Sequence, residues 1–161
     1  MRAVSLVQEL HCDVAEHWRR FLDGAFERAM YLEGMGFQGY EQLERVETEA
    51  AVTRRCRMTP RLDPIVARAL PGFAYLDDGT FDKATQVWRS RATPSLYADR
   101  LSLGAVVSAE PAGAGRCRRR IELTVEVRAP GIASLVENAL AKSLRKGWEQ
   151  AARYLDAHAA P

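Results

Sequence analysis

The residues best suited to nucleophilic or metal chemistry are three histidines and three cysteines, and their spacing favours neither. Cys12, Cys56 and Cys117 are widely separated and form no Cys-x-x-Cys pair, which argues against a zinc site or a disulfide framework. His11 and His17 flank the predicted start of the first helix, and we expect both to be capping or surface residues. A dyad of Cys12 with a histidine would need an exposed thiol, whereas a strand-to-helix junction is more often packed. The sequence therefore predicts no metal, no cofactor and no catalytic residue.

Charged side chains on otherwise apolar strand faces are the second group of candidates. Arg54 alternates with apolar residues along one predicted strand, and Tyr97 and Asp99 do so along another. A charge on an apolar face must be paired, exposed at a strand end or bound to a ligand, because burying it alone is costly. Two alternatives follow. Arg54 pairs with Asp99 across the sheet or lies at its rim, or Arg54 donates two parallel hydrogen bonds to a carboxylate or phosphate headgroup.

Hydrophobic periodicity predicts the elements that would hold these side chains. Strands are predicted over residues 3–11, over 37–62 as a hairpin that turns near 49–51, and over 84–92, 96–110 and 118–129. Asp13 and Glu16 form a capping-box pattern ahead of two short helices, or one kinked helix, that end at Gly34. A long amphipathic helix is predicted from Gly131 to His158.

Composition favours an ordinary globular domain. Hydrophobic residues make up 47% and charged residues 27% of the 161 residues, which allows one sizeable core. The net charge of +2, from 23 Lys and Arg against 21 Asp and Glu, is too balanced for nucleic acid to be the main partner. The first residues lack the apolar run of a signal peptide, and no segment has the length of a membrane span. We therefore expect a cytoplasmic protein.

The order of predicted elements resembles the helix-grip fold of the START-like superfamily. This superfamily includes StAR-related lipid-transfer domains, birch-pollen-allergen-like proteins, polyketide cyclases and PRELI-type phospholipid carriers. The stretch "VAEHWRRFLDGAFERAMYLEGMGF" is similar to the aromatic-rich helix pair ahead of the sheet in such domains, and "FAYLDDGTFDKATQVWRSRATP" is similar in layout to the PRELI-type strand pair. The resemblance implies one α+β domain over residues 1–161. It would have a curved antiparallel sheet, two short N-terminal helices and a long C-terminal helix over the concave face.

The resemblance also implies an apolar cavity between the sheet and the long helix. The expected function is therefore non-enzymatic binding or transfer of a hydrophobic small molecule, with lipids as the foremost candidates. The predicted cavity residues are Arg54, Cys56, Met58, Trp88, Tyr97, Leu101, Leu103, Leu123, Val125, Val136 and Leu140.

A segment bracketed by prolines, residues 60–73, is the candidate lid of this cavity. Its apolar residues are Ile65, Val66, Leu70 and Phe73. Arg61 and Arg68 flank them and would favour brief contact with an anionic membrane surface. The alternative is an ordinary short helix that covers the edge of the sheet.

Two other classes of function stay open at this point. A polyketide-type cyclase or dehydratase would need an acid–base group inside the cavity, for which Tyr97, Asp99 and Arg54 are the candidates. A co-chaperone-like interaction module would need an exposed apolar patch on the outer face of the sheet. The predicted strand over 118–129 argues against such a patch, because its outward residues alternate between charged and polar types.

Overall fold

Seven antiparallel strands form a single curved sheet in the computed structural model, which describes residues 1–158. The strands are β1 (Arg2–Leu10), β2 (Gly39–Glu47), β3 (Ala51–Thr59), β4 (Tyr75–Asp82), β5 (Val87–Pro94), β6 (Leu101–Pro111) and β7 (Cys117–Val127). Their order across the sheet is β1-β7-β6-β5-β4-β3-β2. The first and last strands therefore pair with each other, and the chain reaches the opposite edge through the helices that follow β1.

Alternation of apolar and polar residues decides which face of each strand is buried. In β7, Ile121, Leu123 and Val125 are fully buried, whereas Glu122 and Thr124 between them are exposed. The same alternation holds in β3, where Arg54 occupies one of the buried positions. This period of two is typical of an antiparallel sheet covered on one side only. The outer face of β7 carries no apolar patch.

Two short helices follow β1, as predicted. Helix α1 (Val14–Phe21) begins where the Asp13 carboxylate accepts a hydrogen bond from the Glu16 N–H at 2.8 Å. Helix α2 (Gly24–Ala29) has its own cap, since the Asp23 carboxylate accepts from the N–H groups of the first turn. One π-helical turn (Met30–Gly34) extends α2. The reciprocal half of the predicted capping box is absent, because the Glu16 carboxylate accepts hydrogen bonds from two arginines of α1 instead.

The long helix α4 (Ala133–Ala157) covers the concave face and packs mainly on β1 and β7. Between β3 and β4 lies α3 (Pro64–Ala69), capped by Asp63 and opened by proline at its first position. The predicted fold class, a helix-grip α+β fold with a long C-terminal helix, is confirmed. Among the helices of residues 1–158, none combines the length and apolar character needed to cross a membrane.

The strands differ from the periodicity-based prediction at two places. Residues 96–100 form a turn rather than the start of β6, because Tyr97 has a positive φ of 58° and its carbonyl accepts from the N–H groups of Arg100 and Leu101. Periodicity does not predict β4, since "YLDDGTFD" combines acidic residues with a glycine, and only the resemblance of residues 73–94 to a strand pair indicates it. Pairing with β3 on one side and β5 on the other overrides this weak local preference.

Candidate functional site

A cavity of about 850 Å³ lies between the concave face of the sheet and α4. The cavity exists because many side chains that face it from the sheet and from α4 are small, whereas larger side chains would meet and fill the space. The small residues that face it are Ser90, Ala92 and Ala105 on the strands and Ala139, Ser143 and Gly147 on α4. Natural cores pack to high density, so a run of small residues on both facing surfaces leaves room for a ligand.

The cavity runs from an exposed rim to a buried floor. Charged residues on the π-helical turn, on the segment before α3 and on α4 form the rim, namely Glu33, Arg61, Asp63, Lys142 and Lys146. The floor contains Arg54, Trp88 and Leu123, each no more than 5% exposed. A ligand that enters between α3 and α4 would therefore move from water to a surface that is shielded from solvent.

Most of the residues predicted from the sequence border this cavity. They are Arg54, Met58, Trp88, Leu103, Leu123 and Leu140, with Ile65, Val66 and Phe73 of the candidate lid. Cys56, Leu70, Leu101 and Val125 are buried beside the cavity without lining it, and Val136 packs half-buried against the same cluster. Tyr97 lies outside, with 55% of its surface exposed, because it belongs to the turn before β6.

Arg54 is neutralised by Glu27, and not by Asp99 as one alternative predicted. Its Nη2 donates to Glu27 Oε1 at 2.6 Å and its Nη1 donates to the Phe21 carbonyl at 2.8 Å. Both side chains of the ion pair are buried. Asp99 instead lies on the exposed turn, where its nearest cation is Arg100 at 3.5 Å. The predicted acid–base group of Tyr97, Asp99 and Arg54 therefore does not assemble.

Glu27 was missed by sequence reasoning, although a signal for it exists. It precedes Met30 and Tyr31 by three and four residues, the spacing that places side chains on one helix face. Its second oxygen accepts from the Tyr40 hydroxyl at 2.6 Å. Burial raises the pKa of Glu27 to about 7, while the Arg54 charge and the Tyr40 hydroxyl oppose that rise.

A second carboxyl, that of Asp77, lines the cavity itself. Asp77 lies opposite Cys56 on β3 and Ala92 on β5, and the hydroxyl of Ser90 lies near enough to lower its pKa. Among residues 1–158, no cation comes within ion-pair distance of it. Burial raises the pKa of Asp77 to about 6, against the lowering effect of Ser90 and Arg54. The alternation of "YLDDGTF" could have indicated it, since Asp77 falls on the face of the apolar residues two and four places away.

Replacement of Asp77 with asparagine is expected to stabilise the protein at pH 8 and to have little effect at pH 4. The pKa of Asp77 is about 6 in the fold against an ordinary value of 3.8, so the folded state binds the proton more tightly than the unfolded chain. The stability due to this carboxyl is therefore complete below about pH 4 and is lost as the pH rises through about 6. Because the cavity opens to solvent, we expect a gain on the order of 1–2 kcal/mol at pH 8. Urea unfolding of both proteins at both pH values checks this, and an equal difference at the two would contradict it.

Gly79 on β4 makes room for the indole of Trp88. A Cβ at Gly79 would lie 1.8 Å from Trp88 Cζ2, so no larger residue fits without moving the ring. The guanidinium of Arg54 lies over the same ring, with its Cζ 4.3 Å from the ring centroid. The glycine, the indole and the buried ion pair therefore form one packed stack at the floor of the cavity.

Of the two residues His17 and Cys12 at the start of α1, His17 departs from its predicted role. His17 is 1% exposed and packs against Trp18 and Phe21, so it is a core residue rather than a capping or surface one. Burial lowers the pKa of His17 to about 3, which keeps the ring neutral. Cys12 is buried beside Cys117, and burial raises the pKa of its thiol. A buried protonated thiol is a poor nucleophile, so this junction shows no reactive dyad.

Solved structures with the same fold come from bacteria and plants. Zhui aromatase/cyclase from Streptomyces sp. R1128 matches with a TM-score of 0.69 and 14% identity, over 96% of this chain and 93% of that one. A START superfamily protein from Mycobacterium smegmatis matches with a TM-score of 0.65 and 13% identity, over 98% and 99%. Norcoclaurine synthase from Thalictrum flavum, in complex with dopamine and hydroxybenzaldehyde, matches with a TM-score of 0.70 and 13% identity, over 99% and 89%.

These similarities confirm the START-like resemblance at the level of the fold, which is all that identities this low can show. The narrower resemblance to PRELI-type carriers stays a prediction. No curated protein matches the chain by sequence. A family model described as "Protein of unknown function (DUF2505)" matches residues 5–158, nearly the whole chain, and the chain belongs to that family.

Proposed function

We propose that this protein binds a small, largely apolar molecule in the cavity between the sheet and α4, without transforming it. The observation that carries the proposal is the cavity of about 850 Å³ with an exposed rim and a buried floor. Small-molecule sites in proteins range from roughly 300 to 1,000 Å³ and bury most of the ligand's surface. The norcoclaurine synthase complex supports the binding part of the proposal by analogy, since a protein of this fold is found in complex with dopamine and hydroxybenzaldehyde.

Burial of apolar surface would supply the affinity. Leu103, Leu123 and Leu140 form part of the wall, and Phe73 closes it near α3. Each methylene group moved from water into such surroundings contributes about 0.8 kcal/mol. A molecule with ten apolar carbons would therefore gain about 8 kcal/mol before the entropy of association is subtracted.

The segment around α3 is the proposed entrance. Val66 and Phe73 line the cavity and are buried, whereas Ile65 lies at the opening and is 79% exposed. Such an exposed apolar side chain beside Arg61 and Arg68 suits brief contact with an anionic membrane surface, from which a lipid ligand could be taken up. Transfer of a lipid at a membrane therefore remains part of the proposal.

Filling the cavity from one strand tests the proposal. Ala105 lines the cavity opposite Ser90 and Leu123, so Ala105→Trp would occupy the space that a ligand needs. We expect at least a tenfold loss of affinity for the neutral fluorescent probe N-phenyl-1-naphthylamine, and loss of any hydrophobic molecule that copurifies and is seen by native mass spectrometry. Val106→Trp is the matched control, because Val106 pairs with Arg89 and Glu122 on the outer face.

The two variants separate occupation of the cavity from general damage to the sheet. Val106→Trp should keep wild-type affinity for the probe, and thermal unfolding should show both variants folded. Equal loss in both variants would contradict a site in this cavity. A wild-type protein that neither carries a copurified molecule nor binds the probe would contradict the proposed function as a whole.

A further inference from the structure

We propose that the buried end of the ligand donates a hydrogen bond to Asp77, so that the cavity selects apolar molecules that end in a hydroxyl or ammonium group over those that end in a carboxylate or phosphate. This inference rests on the proposed function and narrows it to a ligand class. It also reverses the expectation that Arg54 receives an anionic headgroup.

The cation at the floor is already neutralised, which weakens its attraction for an anionic ligand. Arg54 already donates to Glu27 and to the Phe21 carbonyl, and its flat face lies on Trp88. Its charge is cancelled by Glu27 at 2.6 Å within the same buried cluster. Glu27 and the Phe21 carbonyl use two of the five N–H groups of Arg54, so an incoming carboxylate or phosphate would compete with Glu27 for a charge that is already balanced, and weakening a buried ion pair is unfavourable.

Asp77 is the carboxyl that faces the cavity, and within residues 1–158 no cation is paired with it. Asp77 lines the cavity, whereas its neighbour Asp78 points to the outer face and pairs with Arg55 at 2.6 Å. An ionised carboxylate offers about four acceptor positions, of which Ser90 can use one. A partly buried acceptor without further donors is unfavourable, and a ligand hydroxyl or ammonium would satisfy it.

The net charge around the floor also favours a cationic or hydrogen-bond-donating ligand over an anionic one. Glu27 and Arg54 cancel each other, so Asp77, two residues along β4 from the partner of Arg54, leaves a negative charge beside the floor when it is ionised. A cationic or donor group is attracted to this end, and an anion is repelled by it. Lys142 and Lys146 belong to the exposed rim, where water and salt screen their attraction for anions. They therefore cannot reverse the preference at the floor.

Three probes with one apolar body test the preference: 4-phenylbutylamine, 4-phenylbutan-1-ol and 4-phenylbutyrate. Each is titrated at pH 8 against wild-type protein loaded with N-phenyl-1-naphthylamine, and displacement gives the affinity. We expect the amine to bind at least tenfold tighter than the carboxylate, with the alcohol between them. Comparison of the amine with the alcohol also shows whether the site prefers a cationic ligand group or a neutral hydrogen-bond donor.

Asp77→Asn should reduce the advantage of the amine over the carboxylate at least tenfold, because it removes the charge and keeps the shape. Asp78→Asn is the matched control, with the same substitution one residue along on the outer face, and should keep the wild-type order. Carboxylate binding as tight as amine binding in the wild type would overturn the inference without any variant. So would an amine advantage that survives in Asp77→Asn. A wild-type protein that neither binds N-phenyl-1-naphthylamine nor carries a copurified hydrophobic molecule would instead overturn the proposed function, and this inference with it.

Discussion

Replacement of Arg54 with methionine is expected to lower the free energy of unfolding by about 3–5 kcal/mol at pH 8. The substitution leaves Glu27 buried without its cation, with only the Tyr40 hydroxyl still donating to it. It also removes the guanidinium that lies on the Trp88 ring. Urea unfolding followed by tryptophan fluorescence measures the loss, since Trp88 reports on the same cluster.

The pH dependence of this loss identifies its cause. Without Arg54, the pKa of Glu27 rises further above its ordinary value, because burial is no longer opposed by a nearby positive charge. A carboxyl whose pKa is raised by folding contributes stability at low pH that is lost as the pH increases. The cost of Arg54→Met should therefore be smaller at pH 5 than at pH 8.

Two further variants complete the test of the buried ion pair. Adding Glu27→Gln to Arg54→Met should recover part of the stability, because glutamine is neutral and still accepts from Tyr40. Arg55→Met is the matched control, since Arg55 pairs with Asp78 on the exposed outer face, where such pairs contribute about 0–1 kcal/mol. A similar loss for Arg54→Met and Arg55→Met would contradict the special role of the buried pair.

Gly79→Ala is expected to destabilise the protein by about 3 kcal/mol, the upper end of the usual cost of overpacking. The added Cβ would lie 1.8 Å from Trp88 Cζ2, and the indole is rigid and 2% exposed, so the ring must move as a whole. Its displacement would disturb the contact with Arg54 and push the ring toward the cavity. Near-ultraviolet circular dichroism and urea unfolding would report both effects.

Gly104→Ala on β6 is the control for this prediction. A Cβ there would meet Thr124 Oγ1 at 2.8 Å, and a hydroxyl on a rotatable side chain on the outer face can turn away. Both substitutions also reduce the flexibility of the unfolded chain to the same extent. Unchanged stability in Gly79→Ala would show that the indole is not held against the backbone of β4.

The floor of the cavity combines features that stabilise the fold with one that weakens it. The ion pair of Arg54 and Glu27 is compensated by further hydrogen bonds, whereas Asp77 is partly buried without a cation. Uncompensated polar groups are expected at binding sites, where the ligand supplies the missing partner. The expected gain in stability of Asp77→Asn at pH 8 and its expected loss of ligand preference are therefore two consequences of the same carboxyl.

Local patterns in the sequence were sufficient for most of the elements other than β4 and for most buried faces. The period of two in β7, the cap before α1 and the apolar stripe of α4 are each contained within a single segment, so they predicted these elements correctly, and the order of elements carried the resemblance to the helix-grip fold that is confirmed. The alternation of β3 likewise placed Arg54 on the buried face without any knowledge of its partner.

Only the tertiary structure decided what those buried polar residues contact. Glu27 and Arg54 are 27 residues apart on a helix and a strand, and no local pattern relates them. The turn before β6 removed Tyr97 and Asp99 from the face that simple alternation predicted. Asp77 became a cavity residue because β3 and β5 hold β4 in the sheet, although the sequence of β4 by itself scarcely favours a strand. Side-chain periodicity is a local property, whereas charge pairing and cavity shape depend on how distant segments are brought together, and that is where the chemistry of this protein is determined.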